Sequence, residues 1–140
     1  MNVYLDASVI VALLTSDVFT SRADVYIRAN VPILVVSDFA ELEFASVIAR
    51  RVRTREVTKQ TARSVFAELD GWIIRNTERV ETTTADVKAA TRAVRRLDLT
   101  LRTADALNIS VAQRIDATLM TFDDKMAVAA RALGVIVAAA

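Results

Sequence analysis

Four carboxylates, Asp6, Glu43, Asp105 and Asp123, hold the positions of most chemical interest in a chain of 140 residues that has no histidine and no cysteine. Without imidazole or thiolate, disulfides, Cys/His zinc and copper sites, haem or iron–sulfur ligation and every acid–base scheme built on histidine are excluded. Any chemistry must run on carboxylates, hydroxyls, amides and cations. Carboxylates that converge on one site cannot all stay ionised unless a cation joins them, because like charges a few ångströms apart raise each other's pKa. An all-oxygen set selects a hard divalent ion, Mg²⁺ or Mn²⁺. An ion so held lowers the pKa of a bound water and neutralises phosphoryl oxygens, which are the two needs of phosphodiester hydrolysis without a histidine base.

Each acid also has an ordinary role open to it. Asp6 can be a strand-to-helix turn residue, Asp105 can answer a helix macrodipole, and Asp123 or Asp124 can cap the last helix. Glu43 is covered by neither a cap nor a solvated face, since it interrupts an apolar stripe that includes Phe39, Leu42 and Val47. It is therefore expected to reach the rim of the sheet and not the core. Glu41, Asp24, Glu68 and Glu78 read as solvated charges.

These residues need elements to position them. Two glycines and one proline in the whole chain predict long elements and short connections, in one domain covering residues 1–140. Val3-Tyr4-Leu5 predicts a strand, and Ser8 an N-cap for the apolar run from Val9 to Leu14. The pattern then predicts a helix over Asp17–Ala29 and a strand over Ile33–Val36. Ser37 or Asp38 should cap a helix from Phe39 to about Arg53, and Thr58 should cap another. Arg79–Glu81 reads as a short strand. Thr84 opens a helix to Leu97, Thr103 one to Ile115, and Ala117–Met120 is a strand. A last helix, Asp124–Leu133, stops at Gly134 before a terminal strand, Val135–Val137. Strands alternating with helices imply a parallel sheet between helical layers, whose ligands bind beyond the carboxyl ends of the strands. Asp6 and Asp123, each at the end of a strand, should share that rim.

The residues around the acids resemble PIN domains, and more narrowly the VapC toxins of bacterial type II toxin–antitoxin pairs. The likeness rests on Tyr4-Leu5-Asp6-Ala7-Ser8, on Glu43 with Arg50 seven residues later, on Leu101-Arg102-Thr103-Ala104-Asp105-Ala106-Leu107, and on Thr121-Phe122-Asp123 leading into Ala129–Gly134. It spans nearly the whole chain, in order. It implies an α/β fold, a three-layer α/β/α arrangement with a central, mainly parallel sheet of four to five strands. The family's four acids carry over to Asp6, Glu43, Asp105 and Asp123. In the roles so implied, Asp6, Asp105 and Asp123 bind the metal, Glu43 completes the site or orients the attacking water, and Ser8 and Thr121 support them. The implied activity is that of a Mg²⁺- or Mn²⁺-dependent endoribonuclease cutting structured RNA such as tRNA or rRNA. The implied assembly is a homodimer restrained by a cognate antitoxin. Many relatives carry histidine in the third motif where this chain has Asn108; the change spares the metal acids but removes a substrate or supporting contact.

Beyond the acids, the formal net charge of +1 conceals a bias of 15 arginines to three lysines. Setting the four acids aside as metal-neutralised leaves 18 positive charges against 13 negative. Residues 50–63 carry six cations and one acid, so Arg50, Arg51, Arg53, Arg55 and Lys59, with Arg102, are candidate phosphate contacts. The same arginines also suit a solvated helix C-terminus. Trp72 and Phe66 share a helical stripe with Leu69 and Ile73 and read as core or dimer interface, not as a base-stacking platform. The 54% hydrophobic content suggests an oligomer surface. The first apolar stretch is broken by Asp6 and Ser8 and ends at Thr15, short of the ~20 residues that span a bilayer, so the expected compartment is the cytoplasm and no membrane partner is expected. Receiver-type and phosphatase folds share a first-strand Asp, but none of the lysines ends a predicted strand and Asp6-Ala7-Ser8 lacks the second acid such a phosphatase needs. A non-catalytic binding module and a housekeeping PIN nuclease of RNA processing are the competing functions.

Overall fold

Alternation of side chains along four short strands divides the core in two. A computed structural model describes residues 1–140. In chain order the elements are β1 (Asn2–Leu5), α1 (Ala7–Leu14), α2 (Thr20–Asn30), β2 (Ile33–Ser37), α3 (Asp38–Arg53), α4 (Lys59–Asn76), β3 (Thr77–Val80), α5 (Thr84–Arg95), α6 (Thr103–Arg114), β4 (Thr118–Met120) and α7 (Asp124–Ala132). The strands form one sheet in the order β3-β2-β1-β4, and every pairing is parallel. Val3, Leu5, Leu34 and Val36 pack into one apolar cluster with residues of α1 to α4. Tyr4 and Val35, one step out of phase, pack into a second with α6 and α7. A period of two thus builds three layers, α/β/α.

Helix starts are fixed by short polar side chains. Ser37, Thr58, Thr83 and Asp123 accept from backbone N–H groups at the starts of α3, α4, α5 and α7. At α1 the structure corrects the expectation: the N-cap is Asp6, whose carboxylate accepts from Val9 N at 3.2 Å, while Ser8 lies inside the first turn. The stripe expected on α3 also shifts, because its buried residues are Ala40, Phe44 and Ile48, and Leu42 is 64% exposed. Phe66 and Trp72 pack on the first cluster, as expected for packing residues.

The predicted terminal strand is reduced to one bridge. Leu119 donates to the carbonyl of Ile136 and accepts from Ala138 N, pairing with Val137 alone, so the sheet has four strands. Gly134 takes φ +83°, the left-handed geometry expected of a residue just past a helix end. Between α5 and α6 lies an ion pair not foreseen from the sequence. Arg114 donates from Nε to Asp86 Oδ1 at 2.7 Å and from Nη2 to Asp86 Oδ2 at 3.0 Å, and Asp86 is 1% exposed. No helix is long and apolar enough to cross a membrane.

Candidate active site

The strand order reverses direction at β1, which has β2 on one side and β4 on the other, and the carboxyl ends of β1 and β4 open the crevice where such sheets bind ligands. Leu5 is in register with Met120, so the residues that follow, Asp6 and Thr121, are brought side by side. Thr121 Oγ1 donates to Asp6 Oδ2 at 2.6 Å and accepts from Asp123 N at 3.0 Å. Ser8 Oγ donates to Asp6 Oδ1 at 2.6 Å and accepts from Phe122 N at 3.0 Å. Two hydroxyls therefore tie both strand ends to the same carboxylate. Behind them Phe122 stacks on Phe19, ring centroids 4.6 Å apart, and the Arg22 guanidinium lies 5.3 Å from each centroid. This packing anchors the short segment that carries Asp123.

The other two acids come from helices. Asp105 sits in the first turn of α6, is 3% exposed, and accepts from the backbone N of Arg102. Glu43 lies on α3 and is half-buried, and its Oε1 accepts from Asn108 Nδ2 at 2.6 Å. Asn108 is in turn held from the core. Tyr4 OH donates to Asn108 Oδ1 at 2.6 Å and lies 2.6 Å from Ser37 Oγ, and all three residues are buried. Asn108 also donates to Ala104 O. A polar chain thus runs from Ser37 through Tyr4 and Asn108 to Glu43. Residue 108 is thus an amide that ties β1, α3 and α6 together. One signal in the sequence pointed to it: Asn108 lies three residues after Asp105, on the same helix face.

Charge at the rim is poorly compensated. Burial pushes the Asp6 carboxyl up, against the opposing hydrogen bonds from Ser8, Thr121 and Val9 N. Burial also raises Glu43, partly offset by Asn108, and the nearby charges of Asp6 and Asp105 raise it further. The phenol of Tyr4 is driven up by burial and stays neutral. Only Arg102 supplies a countercharge by direct contact, from Nη2 to Asp123 Oδ2 at 2.9 Å and from Nε to Asp105 Oδ2 at 3.4 Å. As the side chains stand, no three acids lie close enough to ligate one ion. The donor set still fits Mg²⁺ or Mn²⁺: it is all oxygen, it carries surplus negative charge, and a guanidinium already stands between two of its members.

The structure thus gathers Asp6, Glu43, Asp105, Asp123, Ser8, Thr121 and Arg102 at one rim. Asp124, beside Asp123, is exposed. The basic segment is elsewhere. Since α3 starts at the rim, Arg50 lies seven residues beyond Glu43, about 10 Å along the axis, and Arg51, Arg53, Arg55 and Lys59 cluster around the turn into α4.

A family model for the PIN domain matches residues 3–132. The chain belongs to the PIN domain family. The match includes all four rim acids, and the four-stranded parallel sheet between helical layers is this PIN domain's scaffold. Among solved structures, VapC20 of Mycobacterium tuberculosis, described as a sarcin–ricin loop cleaving toxin, superposes with a TM-score of 0.73 at 17% identity, covering 91% of this chain and 94% of that one. VapBC2 of Rickettsia felis, bound to a DNA fragment from its promoter, gives 0.70 at 17%, covering 99% and 98%. FitAcB of Neisseria gonorrhoeae gives 0.73 at 16%, covering 96% and 95%. At these identities the likeness establishes the PIN fold. Comparison with curated protein sequences finds no match.

Proposed function

We propose that this PIN domain is a divalent-metal-dependent endoribonuclease that acts as the toxin of a toxin–antitoxin pair. The observation that carries the reading is the rim itself: four carboxylates from two helices and two strand ends, the strand ends cross-linked by Ser8 and Thr121, in a chain with no histidine or cysteine to do the work otherwise. Asp6, Asp105 and Asp123 would hold Mg²⁺ or Mn²⁺. When bound, the ion supplies an acidified water and neutralises charge on the phosphate. Ser8 and Thr121 keep the two oxygens of Asp6 aimed by occupying one lone pair on each. Asn108 pins Glu43 Oε1, leaving Oε2 free of hydrogen bonds to accept a proton from an attacking water. The raised proton affinity of Glu43 suits that role.

Arg50, Arg51, Arg53, Arg55 and Lys59 would bind phosphates along an RNA strand running from the rim over α3. The fold shared with VapC20, a sarcin–ricin loop cleaving toxin, supports structured RNA such as rRNA or tRNA as substrate. Likeness to the VapBC2 complex supports an antitoxin as partner. Valines 87 and 94 on α5, 50% and 40% exposed, support a homodimer. A cytoplasmic setting agrees with these partners.

The test is direct. Purified protein incubated with total RNA and Mg²⁺ or Mn²⁺ should give discrete new 5′ ends, mapped by sequencing. EDTA or Asp105→Asn should abolish them. Equal cleavage by a folded Asp105→Asn protein would refute the assignment.

A further inference from the structure

Only one cation touches the carboxylates of the rim. The side chain of Arg102 is 76% exposed, yet its guanidinium spans Asp105, which is 4% exposed, and Asp123, 21 residues further along the chain. Its hydrogen bonds are to these two carboxylates alone. Both contacts use Oδ2 atoms, and Asp123 Oδ1 is already committed to Met126 N. At Asp123 the oxygen that holds the guanidinium is therefore the one left for a metal, while Asp105 Oδ2, which also accepts from Arg102 N at 3.3 Å, fixes the other end of the fork.

We propose that Arg102 is a resident counter-cation that a divalent ion must displace. Its planar fork joins Asp105 to Asp123; on metal binding it would leave those oxygens and swing to solvent, where it becomes available to a phosphate. This rests on the reading that the rim binds Mg²⁺ or Mn²⁺. Three features support it. A carboxylate oxygen cannot accept a 2.9 Å guanidinium bond and ligate an ion along the same direction. The high exposure of Arg102 makes its release cheap, because exposed ion pairs contribute little. Finally, α6 starts without a side-chain acceptor at Arg102, so the helix does not depend on where that side chain lies.

Mn²⁺ binding, measured without RNA by calorimetry and by loss of the free-ion electron paramagnetic resonance signal, tests the idea. Arg102→Gln should bind Mn²⁺ roughly tenfold more tightly than the wild type, the scale expected for removing one charge about 4 Å away in the high, water-like dielectric of an exposed site. Arg102→Lys keeps the charge but loses the fork. Displacement predicts that it too binds more tightly than the wild type. Melting temperature in EDTA should fall slightly in Arg102→Gln, and the rise on adding Mn²⁺ should be larger than in the wild type. If Arg102→Gln binds no more tightly, or if Arg102→Lys equals the wild type while Arg102→Gln does not, displacement is wrong although the metal reading stands. If no variant binds Mn²⁺, both are wrong.

Discussion

Asp6 is a buried carboxylate kept at a cost to stability. It is 3% exposed, and its proton affinity is raised despite three hydrogen bonds. Asn at this position keeps the N-cap and the approximate shape while removing a charge that burial disfavours. Asp6→Asn should therefore eliminate RNA cleavage while its melting temperature at neutral pH stays at or above the wild-type value. A lower melting temperature would mean that the carboxylate stabilises the fold. Asn108 presents the opposite case, a residue that positions another. Replacing it with Ala frees Glu43 Oε1 and leaves the OH of Tyr4, a residue 0% exposed, with Ser37 Oγ as its one remaining partner. The loss of a buried partner should cost about 1–3 kcal/mol in denaturant unfolding. Cleavage should fall roughly 10–100-fold, as for other residues that orient a catalytic group. Full activity in Asn108→Ala would remove it from the positioning chain.

At the scale of elements, the two helical layers are held differently. On the first face α1 to α4 share one apolar cluster. On the second, α5 is joined to α6 by Asp86 and Arg114, with Arg114 also reaching Glu81 O at 2.8 Å. Burial alone would raise the Asp86 carboxyl, but the Arg114 hydrogen bond and then those of Thr83 outweigh it and hold the pKa below the ordinary value of 3.8. A depressed folded-state value contributes stability above the unfolded pKa and loses it as pH falls through the folded one. Asp86→Asn should therefore destabilise the protein by about 2–3 kcal/mol at pH 7, where the charge-assisted bonds are lost. The gap to the wild type should narrow on titration below about pH 4. A pH-independent difference would show that packing, not the ion pair, is responsible.

For the whole molecule, charge is segregated along the fold. The acids gather at the carboxyl ends of β1 and β4, whereas six cations lie in residues 50–63, along the far half of α3 and the turn beyond. An RNA that touches both must follow α3 past several phosphates. Binding to an uncleaved RNA, measured with Asp105→Asn, should weaken with salt, and the log–log slope should flatten by about one for each phosphate-contacting arginine changed to Ala. Slopes unchanged by Arg50→Ala and Arg53→Ala would assign that segment to the helix terminus alone.

Much of this architecture was legible in the residues themselves. The missing histidine and cysteine, the strand-ending aspartates and the capping serines and threonines are local facts, and they set the donor chemistry, the parallel α/β class and most helix starts. Local pattern failed where two local roles compete. At α1, Asp6 and Ser8 were both capable caps, and the carboxylate won because the extended backbone at residue 6 aims it at Val9 N. Along α3 apolar residues fall on two neighbouring stripes, and the one through Ala40, Phe44 and Ile48 is buried. Only the tertiary structure decided the rest. Thr121 meets Asp6 across 115 residues, Asn108 meets Tyr4 across 104, and Arg114 meets Asp86 across 28. Such contacts follow from the β1–β4 register and from how α6 packs on the sheet. Both are set by the burial of two apolar clusters at once, which no short stretch of sequence specifies.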